Sequence, residues 1–312
     1  MSKIRLMKSV NSMTVEQAFQ EFLESCKLKN LSKATLKNYD NQFKVFTQFF
    51  DDSQPVFCID QQTVTAYTQY LQRKFSNAES INTSLRHLRS MLNYWCEQDY
   101  CQPSKIKLLK TETKIKDCYT DTELKVLLQK PDIKRCSFSE YRNWTVINVL
   151  VATGIRLRSL VNIKVGDVDF DNGFLKVTTT KNRKPQLLPL PQSMLTILKD
   201  YLKHRRGNPD DVLFCSEAGS KLLESSVNHS LCKYNRERGI EKTGVHLYRH
   251  TFARNFILSG GDVFRLQKQL GHSTLDVSKR YANLYDTDLK KDFEKFNLLE
   301  RLQVQQQRIK MK

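Results

Sequence analysis

Between Thr14 and Cys101 the apolar residues recur three and four apart in four successive runs, the period of helices that bury one face. Thr14, with Gln17 three residues later, opens the first, whose stripe is Ala18, Phe19, Phe22 and Leu23. A second starts after Ser32 in LSKATLKNYDNQFKVFTQFF, with Leu36, Tyr39, Phe43, Phe46 and Phe50 inward. Asp60 caps a third, and the fourth carries Leu85, Leu88, Met91, Leu92 and Trp95. Four such helices with little strand signal predict a small all-α bundle over residues 14–101. Residues 1–13 are short, basic and without pattern, and read as a flexible arm.

Residues 102–117 include QPSKIKLLKTETKIK, which has charge but no period, and read as a linker to a second domain over 118–297. There Thr120 and Glu123 form a capping-box signature for a helix over 121–128. Another helix covers 139–152 and stops at Thr153-Gly154, where glycine permits a tight turn, and the next begins with Arg156 near its N-terminus. Strand signal follows: 168–170, an Asp171-Asn172-Gly173 turn, 174–180, an exposed turn over 181–184, and a third strand over 186–190. Helices over 192–204 and 225–238 lead to one that starts near Val245 and ends at Gly260-Gly261. After a second short helical segment, Ser273 is expected to cap a helix reaching Tyr281, with Asp276 as its capping-box partner. Leu289, Phe293 and Phe296 share one helical face beyond it, and 298–312 form a C-terminal tail. The fold class is therefore mainly α with a small antiparallel sheet: a four-helix N-terminal domain plus a mixed α/β C-terminal one.

Charge sharpens this picture. The chain of 312 residues holds 51 Lys and Arg against 33 Asp and Glu, a net charge of +18 spread along its length. Such an excess implies a polyanionic partner, with solubility by surplus charge as the competing explanation. Nucleic acid is favoured over membrane, because no basic amphipathic anchor stands out and no run of some 18 apolar residues is long enough to span. No secretory h-region follows the N-terminus, so a soluble, cytoplasmic protein is expected. The eight cysteines stand singly with no CxxC pair, which argues against zinc and against a disulfide framework. Outward positions of the bundle include Lys33, Lys37, Lys44, Arg73, Lys74, Arg86 and Arg89. A solvated face explains any one such row; the charge of the whole chain turns the reading toward DNA-backbone contact, with Arg183 and Lys184 in the hairpin turn as further candidates.

Candidate chemistry concentrates between Val245 and Leu284, from whose side chains His246, His272, Arg249 and Tyr281 stand out as imidazoles, a guanidinium and a phenol. A phenol, with an ordinary pKa of about 10, needs activation before it attacks phosphorus. A phosphodiester gains a second negative charge on the way to the pentacovalent transition state, so fixed cations and donors must wait where that charge develops. His246 and Arg249, three apart, share a helix face suited to this. One arginine is seldom enough. Arg156 is a second, beside backbone N–H groups that favour an anion. Lys181, at the tip of a β-turn, is placed to reach a ligand, though a solvated loop lysine fits the pattern equally well.

In chain order the set is Arg156, Lys181, His246, Arg249, His272 and Tyr281, and its surroundings resemble the tyrosine recombinases, the integrase family that includes Xer, Cre and lambda-type phage integrases. ATGIRLRSL resembles the family's TG-L-R-x-x-E-L box, and TKNRKPQLLPLP its hairpin GKGxKxRxVPL. HLYRHTFA resembles HxLRHTFA, and LGHSTLDVSKRY resembles LGHSSxxTTxxY, with the tyrosine nine residues after the histidine. The opening helices look like the family's SAM-like core-binding domain, and residues 118–297 like its catalytic domain. The resemblance implies that Arg156 and Arg249 clamp the scissile phosphate, His246 and His272 assist, Lys181 protonates the leaving 5′-hydroxyl, and Tyr281 forms a 3′-phosphotyrosine. It implies duplex DNA with an inverted-repeat core site as substrate, a homotetramer in the synapse from protomers that are monomers or weak oligomers when free, and neither cofactor nor metal. It also implies a simple two-domain member, without an arm-binding module ahead of Thr14, whose segment after Asp286 docks on a neighbouring protomer or folds back in cis.

Two positions depart from the family: Ser159 stands where a carboxylate is usual, and Gln186 where the hairpin has arginine. Tyr248 and Tyr285 are competing phenols. Two rival functions share the motifs: a type IB topoisomerase-like nicking and closing enzyme, and a DNA-binding member of the fold that has lost cutting. The DNA sequence recognised, and integration against excision or resolution, are not written in these motifs.

Overall fold

A computed structural model describes residues 13–111, 117–180, 185–272 and Thr274. The chain divides into two compact units, Met1–Lys114 and Ile115–Lys312.

The first unit is the expected bundle: α1 (Val15–Leu28), α2 (Lys33–Thr47), α3 (Gln61–Lys74) and α4 (Ala78–Glu97). Each begins on a side-chain cap, from Thr14, Ser32, Asp60 and Asn77, and Thr14 with Gln17 closes the full capping box. The inward stripes meet in one apolar cluster, in which the Phe19 and Phe43 rings stack 3.7 Å apart and fully buried Trp95 donates to the Ala18 carbonyl at 2.9 Å.

Residues 102–111, expected as the start of a linker, lie against this bundle. Asn82 donates to the Leu109 carbonyl at 2.9 Å and accepts from its N–H at 2.8 Å, and Gln61 pairs in the same way with Lys105 at 3.2 and 2.7 Å. Two side-chain amides thus stand in for a neighbouring strand, and Ile106 is buried beneath them. Arg89, a candidate phosphate contact, is half-buried and donates to the Ile106 carbonyl. Of the other candidates, Lys33, Lys37, Lys44, Arg73, Lys74 and Arg86 are exposed, with Lys44 paired to Asp40 and Arg86 to Glu79.

The second unit is built around α6 (Phe138–Thr153), which is buried along most of its length and packs against α8 (Gln192–Arg205), α9 (Glu224–Arg236) and α10 (Val245–Leu258). Before it lies α5 (Asp121–Leu127), opened by the Thr120–Glu123 capping box; after it comes the short α7 (Leu157–Leu160). A three-stranded antiparallel sheet follows: β1 (Val168–Asp169), β2 (Phe174–Val177) and β3 (Gln186–Pro189), in sequence order. Alternation along β2 sends Leu175 and Val177 into the core, and the register pairs Val177 with Gln186 and Leu175 with Leu188. The last described helix is α11 (Val263–Leu270), which lies on α10 through Leu266 and Leu270 against Ala253, Phe252 and Phe256. Among the described residues no helix is long and apolar enough to cross a membrane.

Candidate active site

Two glycines shape the site. Gly154 ends α6 in the left-handed conformation at φ 62°, and a Cβ there would sit 2.5 Å from Phe252 and 2.8 Å from Leu270. Only glycine lets the α6–α7 turn come this close to α10 and α11. Gly271 ends α11 in the same conformation at φ 60°, with the His272 N–H returning to the Gln267 carbonyl, a Schellman closure. Both helices therefore end in a tight left-handed turn, and Arg249 bonds one carbonyl from each end.

Arg156 and Arg249 meet between them. Arg249, on α10 and 6% exposed, donates to the Gly154 carbonyl at 2.6 Å and to the Leu270 carbonyl at 2.9 Å. Arg156, half-buried at the start of α7, donates through both terminal nitrogens to the Gly271 carbonyl at 3.3 Å. The two guanidiniums are thus gathered around the C-terminal carbonyls of α11, the negative end of that helix. Carbonyl dipoles hold like charges together that would repel if left facing one another.

His272 completes the cluster, with Nε2 2.9 Å from Arg249 Nη2. A guanidinium has donors only, so Nε2 is the acceptor and the proton sits on Nδ1. Burial first, and then the nearby Arg249 and Arg156 charges, lower the imidazole pKa to about 4. His272 is therefore neutral at physiological pH.

Of the six residues expected to form the site, the structure brings together Arg156, Arg249 and His272. His246 sits on the first turn of α10, exposed and one turn before Arg249. Lys181, Arg183, Lys184, Tyr281, the competing phenol Tyr285, the Ser273-capped helix and the C-terminal segment lie outside the described residues. Ser159 is buried on α7, and its N–H donates to the Arg156 carbonyl at 2.9 Å. Gln186, noted in the sequence only as a departure, reaches from β3 to the Lys268 and Gln269 carbonyls at 2.6 and 2.7 Å. No pattern in the sequence signals that reach, because it joins segments some eighty residues apart.

Tyr248 is excluded as an attacking phenol. It is fully buried, stacks on Tyr119 with ring centroids 4.5 Å apart, and donates to Asn235 Oδ1 at 2.8 Å. Asn235 in turn donates to Tyr119 Oη and to the Lys242 carbonyl, both at 2.9 Å. Burial drives the Tyr248 phenol far above its ordinary pKa. Tyr248→Phe is expected to lower stability by about 1 to 2 kcal/mol, since it leaves a buried amide oxygen without its donor, and to leave DNA cleavage by the folded protein within twofold. Denaturant midpoints and a cleavage time course check this; a cleavage loss above tenfold with an unchanged midpoint would return Tyr248 to the chemistry.

Residues 119–288 match the model described as the phage integrase family, and residues 14–115 that of the phage integrase SAM-like domain. The tyrosine recombinase XerD of Staphylococcus haemolyticus is 26% identical over 295 residues, covering 91% of this chain and 99% of that protein. The tyrosine recombinase XerA of Pyrococcus furiosus is 27% identical over 289 residues, covering 92% and 96%. Among solved structures, the Tn1549 transposon integrase in complex with transposon right end DNA has a TM-score of 0.75 at 19% identity, covering 91% of this chain and 99% of that one. At that identity the likeness establishes the fold.

Proposed function

This chain belongs to the phage integrase family, and from that premise we propose that it is a site-specific DNA recombinase that cuts and rejoins strands through a tyrosine–DNA intermediate. The observation that carries the reading is the pair of guanidiniums, Arg156 and Arg249, held beside neutral His272 by carbonyls of a single turn. The scissile phosphate would take the place of those carbonyls as partner of the two arginines. Both charges then face the oxygens on which negative charge grows, which is the strongest single contribution available to phosphoryl transfer. A neutral imidazole with its proton on Nδ1 accepts a hydrogen bond from Arg249 and keeps that guanidinium aimed.

Tyr281 attacks phosphorus as His246 takes up its phenolic proton, and Lys181 gives a proton to the departing 5′-oxygen as that P–O bond breaks. Attack breaks one P–O bond as another forms, so the 3′-phosphotyrosine keeps the bond energy and religation to a new strand requires no external energy source. Relatives named recombinases and a DNA-bound transposon integrase support this reading. The basic face of the helical unit, Lys33, Lys37, Lys44, Arg73, Lys74 and Arg86, holds the duplex backbone, and Arg183 and Lys184 add contacts near the cut. Four protomers assemble on two inverted-repeat sites, and the segment after Asp286 links neighbours. Cytoplasmic residence fits the eight free thiols.

The test begins with a duplex selected by the wild-type protein from a randomised pool. Two copies of that site on one supercoiled plasmid should yield deletion or inversion products. Relaxation of a plasmid lacking the site, without recombinant products from the two-site plasmid, would instead identify a nicking and closing enzyme, and tight binding with neither product a DNA-binding protein. Affinity for the selected duplex should fall about 10³-fold or more between 50 and 200 mM salt, as counterions are released from some six or more phosphates. A change under tenfold, measured by anisotropy, would contradict an extended phosphate interface.

A further inference from the structure

The last four backbone carbonyls before His272 are all held by side chains from elsewhere in the fold. Lys268 and Gln269 accept from Gln186 Nε2 at 2.6 and 2.7 Å, Leu270 from Arg249 at 2.9 Å, and Gly271 from Arg156 at 3.3 Å. An α-helix leaves its last carbonyls without intrahelical partners, so such a run needs donors from outside. Two of these donors are the arginines assigned to the phosphate, and Gln186 is the third.

Gln186 is placed for this by the sheet. It opens β3, pairs with Val177 of β2, and lies two residues from buried Leu188, hence on the core-facing side of the strand. Its Oε1 packs so near Gly271 that a Cβ there would approach to 2.9 Å, with Arg156 Nη1 3.7 Å from the same point. The amide therefore fills the gap between strand and turn. In sequence, Lys181 lies five residues before Gln186.

We propose that Gln186 is a positioning residue: its amide clamps the C-terminal carbonyls of α11 to β3 and so fixes the turn that presents His272 and seats Arg156 and Arg249. The clamp matters most when DNA arrives. On the reading that these arginines take the scissile phosphate, they leave the Leu270 and Gly271 carbonyls as it binds, and Gln186 remains to hold the turn. A preorganised site needs a part that does not move when its ligands exchange, and an amide bonded to two consecutive carbonyls supplies it.

Three variants of the full chain test this. Gln186→Met keeps the approximate shape without donors, Gln186→Glu replaces the donors with a charge facing the negative end of α11, and Gln186→Arg restores N–H donors. Single-turnover formation of the covalent adduct on the selected nicked duplex should fall about 10- to 100-fold in Gln186→Met, and further in Gln186→Glu, as expected when a supporting contact lets reacting groups drift. Gln186→Arg should return to within about threefold of wild type, and the uncharged Gln186→Met should leave duplex affinity unchanged.

A second readout requires no DNA. The His272 ring, followed by NMR on the free protein and assigned with His272→Gln, should titrate near 4 in wild type and about one unit higher in Gln186→Met, because a loosened turn hydrates the imidazole and moves it from the guanidiniums. Adduct formation within twofold of wild type in Gln186→Met, or a His272 titration that does not move, would overturn the positioning role. If wild type forms no adduct while the titration shifts as stated, the clamp stands and the recombinase reading fails.

Discussion

Tyr281→Phe is expected to abolish covalent attachment to DNA, with single-turnover cleavage of a nicked suicide duplex falling at least about 10⁴-fold, the scale on which losing a nucleophile is felt. The phenyl ring keeps the bulk of tyrosine and removes only the oxygen, so binding of the selected duplex should stay within twofold. On this reading the attack belongs to Tyr281 alone, and the competing phenols are not expected to take it over. Tyr248 is the phenol on the arginine-bearing helix, but it is buried and bonded into the Tyr119–Asn235 network. Tyr285→Phe, by contrast, should cleave within threefold of wild type, because Tyr285 lacks the nine-residue spacing from His272. Cleavage by Tyr281→Phe within tenfold of wild type, scored on denaturing gels, would move the nucleophile elsewhere.

The arginines give the second large effect, and the structure makes their losses unequal. Arg156→Ala should slow cleavage by about 10² to 10³, the loss of one preorganised donor at the transition state, with a smaller loss of stability than at Arg249 because Arg156 is only half-buried. Arg249→Ala should lose at least as much activity and in addition about 2 to 4 kcal/mol of stability, since buried Arg249 satisfies the Gly154 and Leu270 carbonyls together. Arg249→Lys separates the two effects. A lysine retains the charge but lacks the rigid planar fork that bonds both carbonyls, so stability should recover in part while cleavage stays low. The checks are urea midpoints and single-turnover rates; cleavage losses under tenfold for both alanine variants would mean that the phosphate is held elsewhere.

The elements legible in the sequence were those governed by local chemistry. Capping at Thr14, Ser32, Asp60 and Thr120 needs only residues three apart, and α1, α2, α3 and α5 begin where those signals place them. The Asp-Asn-Gly hairpin turn is likewise local: Asp169 accepts from the Asp171 and Asn172 N–H groups, and Gly173 takes a φ of 71°. The helix before α7 ends at Gly154 as expected, for a left-handed residue there costs glycine little.

What sequence reasoning missed is long-range and polar. The run 102–111 shows no period because Asn82 and Gln61 from two different helices, rather than an amphipathic face, hold it. Arg89 reads as one more outward cation, yet it serves the carbonyl of Ile106. Gln186 reads as a lost arginine, while its amide holds a helix end some eighty residues away. Of the candidate site, the convergence of Arg156 with Arg249 follows from two close glycine turns, and only the ordered motifs, not the periodicity, hinted at it.

The central claim is that a phenolic oxygen of this chain becomes bonded to DNA phosphorus. Its most direct test is to trap the wild-type protein on a nicked suicide duplex, digest the adduct with protease and nuclease, and sequence the nucleotide-bearing peptide by mass spectrometry. The expected result is a 3′-nucleotide on Tyr281 in the peptide that follows Lys279-Arg280. Attachment at Tyr285 or at any other side chain, or the absence of an adduct on a duplex the protein binds tightly, would contradict it.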